Sequence, residues 1–223
     1  MQTISAYQDT ARTSPMLSGR VQMAGGLDLP GFVMDFARNE EVFGEEEPAD
    51  FVYQVVSGAV RSTRILSDGR RQVGAFYLPG DVFGLELGET HRFCAEAVAN
   101  SKVALIRRTA IDRLAERDSA AARQFWALTS QDLQRLQDHM VLLGRKSALE
   151  RVATFLVKMA ERAPSRDGVD LPMSRTDIAD YLGLTIETVS RTFSQLERDQ
   201  VIALPSSRHV VLRDRRGLAE LDA

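Results

Sequence analysis

Near the carboxyl end of the chain, Glu187, Ser190 and Arg191 occupy positions i, i+3 and i+4 of the run ETVSR. On a helix those positions share one face. An arginine can donate two hydrogen bonds to guanine O6 and N7, a glutamate can accept from cytosine N4, and a serine hydroxyl can do either, so the trio suits the edges of a G·C pair and its neighbour. Alone, Glu187 and Arg191 would read as a surface ion pair worth about 0.2–0.5 kcal/mol to a helix. Their surroundings point further. Thr185 and Thr188 stand at the helix entrance, where hydroxyls and free N–H groups hold phosphate. Ser174, Arg208 and His209 flank the same segment and are candidates for the same backbone contacts.

The elements that must carry these side chains follow from local signals. MSRTDIADYLGLTIETVSRTFSQLERDQVI predicts a short helix over Arg175–Leu182, a left-handed turn at Gly183 and a second helix from Ile186 to Arg198. Ile178, Ala179 and Leu182 can then face Val189, Phe193 and Leu196, leaving the opposite face to project. Ser174 with Asp177 makes a capping-box signature, as does Ser147 with Glu150 ahead of a helix reaching Arg162. VIALPSSRHVVLRD predicts two strands around PSSR, a wing with Arg208 and His209 at its tip, and APSRDGVDLP a short hairpin.

Upstream, Ala110 to Leu143 holds no Gly or Pro, which predicts one long helix, or a short one feeding a long one, ended by Gly144. Trp126, Thr129, Leu133, Leu136, Met140 and Leu143 step along it by threes and fours, a heptad seam able to pair two chains. Packing of that face on its own domain is the alternative. His139, off the seam, is expected in solvent. Between Glu41 and Arg107, short apolar runs broken by Ser57-Gly58, Asp68-Gly69 and Pro79-Gly80 predict strands of a sandwich or barrel, with Asp68-Gly69 a hairpin turn whose two central residues both take positive φ. The first 30 residues predict a loosely packed arm.

Length and composition remove other classes. With 223 residues, 44% hydrophobic and 26% charged, the chain suits one large or two modest globular domains and is not a disordered polymer. No apolar run is long enough to span a membrane and the amino terminus lacks a secretory pattern, so a cytoplasmic location is expected. The single Cys94 excludes an intrachain disulfide or a four-thiolate cluster. The net charge of −3 divides into −4 up to residue 144 and +1 beyond, so nucleic-acid binding must rest on placement. GxxxxGK[ST], HExxH and GxSxG are all absent, and no catalysis is expected.

From Arg38 to the end, the sequence resembles the Crp/Fnr family of bacterial transcription regulators, and its FixK-type members in particular. The residues that carry the likeness are GEEEPADFVYQVVSGAVR and LSDGRRQVGAFYLPGDVFG for a cyclic-nucleotide-type β-roll, and ETVSR for the reading helix. The resemblance implies an α+β fold: an arm over 1–30, a jelly-roll-like β-roll over 31–110, a dimerisation helix over 111–144 and a winged helix-turn-helix over 145–223. It further implies a homodimeric activator that recruits RNA polymerase and reads a palindrome of TTGA half-sites, with Glu187 and Arg191 on the G·C pair and Ser190 near a thymine. Ile186 replaces the arginine of the cyclic-AMP branch. Where cyclic-nucleotide-binding relatives carry Arg-Ser, this chain has Phe93-Cys94, and the arm lacks the cysteines of the iron–sulfur branch. No cofactor, metal or effector is therefore expected. The alternative is a regulator gated by haem or another effector in the β-roll, for which His91 and Cys94 are the one soft-ligand pair; a surface histidine and a buried thiol is the simpler expectation for them.

Overall fold

The computed structural model describes residues 19–86, 88–163 and 168–222. Packing divides them into two compact units, one of the residues up to Arg64 with Phe76–Asp132, the other of Ile65–Ala75 with the residues from Leu133 onward.

The strands of the first part of the chain are β1 (Gly19–Gln22), β2 (Asp28–Phe36), β3 (Glu41–Phe43), β4 (Phe51–Ser57), β5 (Val60–Ile65), β6 (Arg71–Tyr77), β7 (Val82–Phe83), β8 (Cys94–Ala97) and β9 (Ser101–Arg107). They form a five-stranded sheet ordered β1-β2-β9-β4-β7 and a four-stranded sheet ordered β3-β8-β5-β6. Strand β9 is central, antiparallel to both β2 and β4. Its alternation feeds two cores. Val103 and Leu105 pack with Phe36, Phe43, Tyr53, Val55 and Phe83 inside the roll. Ala104 and Ile106 point the other way, into a cluster with Val21, Met23, Leu29, Ile111 and Ala121.

Residues 19–30 depart from the expected loose arm. Strand β1 pairs with β2, and Val21, Met23, Leu27 and Leu29 are buried, so this stretch is core; the rest of the arm lies outside the described residues. The Asp68-Gly69 turn also differs. Only Gly69 takes positive φ, while the Asp68 carboxylate accepts from the Arg70 backbone N–H, an Asx turn in place of two left-handed residues.

Helix α1 (Arg108–Arg117) precedes the long α2 (Ser119–Arg145), the second of the two helical arrangements expected. Gly144 lies inside α2 and does not end it. In the second unit, α3 (Ala148–Arg162) starts at the Ser147–Glu150 capping box and buries Val152, Phe155, Leu156 and Met159 along one stripe. β10 (Val169–Asp170), α4 (Arg175–Leu182), α5 (Ile186–Arg198), β11 (Ile202–Ala203) and β12 (His209–Leu212) follow, then α6 (Arg215–Asp222), which packs on α3 and buries Leu218. Strand β10 pairs with β12 in a three-stranded sheet ordered β10-β12-β11, in place of the expected local hairpin, part of which lies outside the described residues. Among the described residues no helix is long and apolar enough to cross a membrane.

Candidate nucleic-acid interface

Helices α4 and α5 meet as their sequence dictates. Ser174 caps α4 and Thr185 caps α5; between them Gly183 sits at φ 61°, ψ 39°, the left-handed conformation that lets the chain reverse. Ile178, Ala179 and Leu182 on α4 and Val189, Phe193 and Leu196 on α5 are all buried. Arg151 fastens the turn from below. Its guanidinium donates to the carbonyls of Leu143, Lys146 and Leu182, each at 2.9 Å, which satisfies carbonyl groups at the ends of α2 and α4.

The face of α5 away from this core carries the expected trio. Glu187, Ser190 and Arg191 are exposed, and among the described residues no ion pair joins Glu187 to Arg191. Arg191 Nη2 donates to Thr188 Oγ1 at 3.4 Å, and Thr185 Oγ1 accepts from the Thr188 N–H at 3.2 Å. Ile186, outside the expected base-reading set, is 41% exposed beside them and offers an apolar surface of the kind that meets thymine methyls.

The backbone-contact candidates fare differently. The Ser174 hydroxyl donates to Asp177 Oδ2 at 2.7 Å and accepts from the Asp177 N–H at 3.1 Å, so its one proton is spent on the cap. The next residue brings a cation to this cap. Arg175 lies over the Phe193 ring, its Nη1 buried without a hydrogen-bond partner, and burial pushes its pKa down to about 10, which leaves it charged at neutral pH. Sequence reasoning passed it over because an arginine at the first position of a helix carries no pattern of its own. On the wing, Arg208 is half-buried beyond β11, while the His209 ring is held by Asp170 at 2.7 Å and opens β12 instead of standing at the tip.

The long helix has two apolar faces. Ala121, Phe125 and Leu128 turn inward to the first unit's core. Trp126, Leu133, Leu136 and Met140 are 75%, 57%, 49% and 68% exposed, so the seam is not packed on its own domain. Thr129 and Leu143 are half-buried, Thr129 donating to the Phe125 carbonyl. His139 corrects the expectation of a solvated residue: it is buried, stacks on Tyr181 at 4.0 Å and donates from Nε2 to the Tyr181 carbonyl at 2.8 Å.

His91 and Cys94 also exchange their expected places. His91 is buried, stacked on Phe43 at 3.6 Å with Nδ1 on Glu86, whereas Cys94 is half-exposed and its Sγ accepts from the Glu45 N–H at 3.3 Å. Burial, and then the carboxylates of Glu41, Glu45 and Glu96, push the Cys94 thiol up.

A winged helix-turn-helix with a polar reading face, following a β-roll and a long helix, defines a class of transcription regulators with an effector-type domain. Residues 150–221 match the model of a Crp-like helix-turn-helix domain, and residues 33–118 that of a cyclic nucleotide-binding domain. The nitrogen fixation regulation protein FixK of Azorhizobium caulinodans is 51% identical over 207 residues, covering 91% of this chain and 82% of that protein. FixK of Rhizobium meliloti is 42% identical over 192 residues, covering 86% and 88%. The solved structure of FixK2 from Bradyrhizobium japonicum matches with a TM-score of 0.85 at 52% identity, over 87% of this chain and 98% of that one. The chain belongs to the Crp/Fnr family of transcription regulators, among its FixK-type members.

Proposed function

We propose that this regulator is a cytoplasmic homodimer that activates transcription by binding a palindrome of TTGA half-sites in double-stranded DNA and recruiting RNA polymerase, with no required small-molecule effector. The carrying observation is the exposure of Glu187, Ser190 and Arg191 on one face of a helix whose other face is core. A helix so held enters the major groove with its first turns at the base edges. Thr185, Thr188, Arg208, His209 and Arg175 then supply backbone contacts, Arg175 in the place given to Ser174 by its sequence position. The exposed stripe of Trp126, Leu133, Leu136 and Met140 supplies the two-fold seam.

The β-roll does not suit a cyclic nucleotide. Phe93 and Cys94 stand where a cyclic phosphate would need a guanidinium and a hydroxyl, and the arginines near the thiol, Arg61 and Arg64, are already paired with Glu96 and Glu45. Haem meets a different obstacle, since the His91 ring is buried against Phe43 with Nδ1 on Glu86 and Nε2 enclosed without a partner, so an iron would have to enter the packed roll to reach it.

The test is a titration of the full-length protein with a palindromic duplex and no additive, beside an absorption spectrum of the purified protein. The reading expects tight binding whose Kobs falls steeply as salt rises, through release of counterions from phosphates, and no Soret band. Equal affinity for scrambled DNA removes sequence reading. Binding only after an effector is added removes effector independence.

A further inference from the structure

The tip of the hairpin between β5 and β6 belongs to the same compact unit as the helix-turn-helix. There Arg71 reaches two carboxylates of α4 at once. Nη2 lies 2.8 Å from Asp177 Oδ1 and 2.7 Å from Asp180 Oδ2, and Nε donates to Asp180 Oδ2 at 2.8 Å. The neighbouring Gln72 amide donates to the Asp180 carbonyl at 2.8 Å.

Three features make this contact more than a surface ion pair. Asp177 is buried, its side chain 4% exposed, and its two oxygens are divided: Oδ2 holds the Ser174 cap and Oδ1 holds Arg71. A buried carboxylate stripped of its cation is costly, far more so than an exposed one. Asp180 lies in the last turn of α4, where an acid opposes the helix dipole and no basic residue of the helix offsets it; Arg71 supplies that charge from outside. Finally, α4 has eight residues, too few to hold itself in water, so its position is set by what grips it. On one side the grip is the core shared with α5; on another it is Arg71 and Gln72.

We propose that Arg71 is a positioning residue for DNA reading: by bridging Asp177 and Asp180 it braces α4, and through the α4–α5 core it fixes the angle at which Glu187, Ser190 and Arg191 meet the bases. This rests on the DNA-reading role proposed above. It also places the brace on the β5–β6 hairpin, a segment outside the matched helix-turn-helix stretch of 150–221.

The experiment compares full-length wild type with Arg71→Ala, Arg71→Lys, Asp180→Asn and the Arg71→Ala/Asp180→Asn double variant. Binding to the palindrome is measured over a range of salt, and amide hydrogen exchange of residues 175–198 is followed in the free protein. Stoichiometric titration fixes the active fraction, so that loss of folded protein is not counted as loss of affinity. The brace predicts that Arg71→Ala weakens the palindrome by about tenfold, that Arg71→Lys recovers part of this, and that the double variant is no weaker than Arg71→Ala. The salt slope stays at the wild-type value, and exchange over 175–182 quickens.

A slope lowered by about one would make Arg71 a phosphate contact and overturn the proposal. So would wild-type affinity and exchange in Arg71→Ala and Asp180→Asn. If wild type itself fails to select the palindrome, the DNA-reading role falls, and the brace with it as a device for reading; unchanged exchange in Arg71→Ala would show separately that α4 is not gripped.

Discussion

The Arg175 guanidinium carbon lies 3.3 Å from the centroid of the Phe193 ring, so the first residue of α4 rests on the core side chain that anchors α5. This joins a cation with an unpartnered Nη1 to the inner face of the reading helix. A planar guanidinium held flat on an aromatic ring is pre-organised and loses little further freedom when it meets an oxyanion. Arg175→Ala is therefore expected to weaken binding to palindromic and scrambled duplexes alike and to lower the salt slope by about one. Salt-dependent titrations check this. Loss confined to one base position would mean that Arg175 reads sequence.

Arg191 is expected to behave in the opposite way. It projects from the exposed face of α5 with Thr188 as its hydroxyl partner, free to exchange that long bond for guanine O6 and N7. Arg191→Ala should cost about 1–3 kcal/mol in discrimination at the G·C pair of the half-site and leave nonspecific affinity nearly as it was. Binding measured against duplexes substituted at each position makes the distinction. A uniform loss would place Arg191 on the phosphates.

How far the sequence revealed this interface depended on how local each signal is. Both capping boxes and the left-handed Gly183 formed where expected because each is decided within a few residues. The buried set of α4 and α5 likewise followed from helical spacing. Tertiary neighbours decided the rest. His139 looked like a polar residue on a solvated face; its burial comes from Tyr181, 42 positions away. Ser174 is the exception, since its hydroxyl bonds Asp177 within the capping box that the spacing itself announced. Strand β1 was missed because Gly19–Gln22 is too short to show alternation and is held by pairing with β2. His91 and Cys94 exchanged roles because neither side chain's burial is set by sequence spacing: one ring stacks on Phe43, and the thiol faces the Glu45 backbone.

The stripe on α2 makes a prediction about assembly. Leu136 is 49% exposed, so a polar replacement there leaves the chain's own core intact. Leu136→Asp places two carboxylates against each other across a two-fold seam, which such interfaces do not tolerate. Sedimentation should show monomers, circular dichroism an unchanged helical content, and a DNA titration the loss of tight binding to a two-half-site operator, since one protomer spans one half-site. A dimer that persists would move the interface off this helix.

Acid should loosen the second unit through His139. Burial, above all, holds its pKa below the ordinary 6.5, and the nearby Lys158 ammonium acts in the same direction; the carbonyls of Tyr181 and Gly74 oppose it. Lys158 is paired at 2.9 Å with Asp138, the residue before His139 on α2. A histidine with a lowered folded-state pKa is neutral in the native protein while the unfolded chain already binds a proton. Stability is then fully present above about pH 6.5 and declines as pH falls from there toward the lowered native value. His139→Gln keeps an N–H donor for the Tyr181 carbonyl and has no proton to gain. Thermal unfolding at pH 7.5 and pH 5.5 is expected to show a larger drop in Tm for wild type than for His139→Gln, the difference isolating this residue from the carboxylates that titrate in both. Equal drops would mean that His139 is protonated as readily in the folded protein as in the unfolded chain, and that its stack on Tyr181 tolerates the charge.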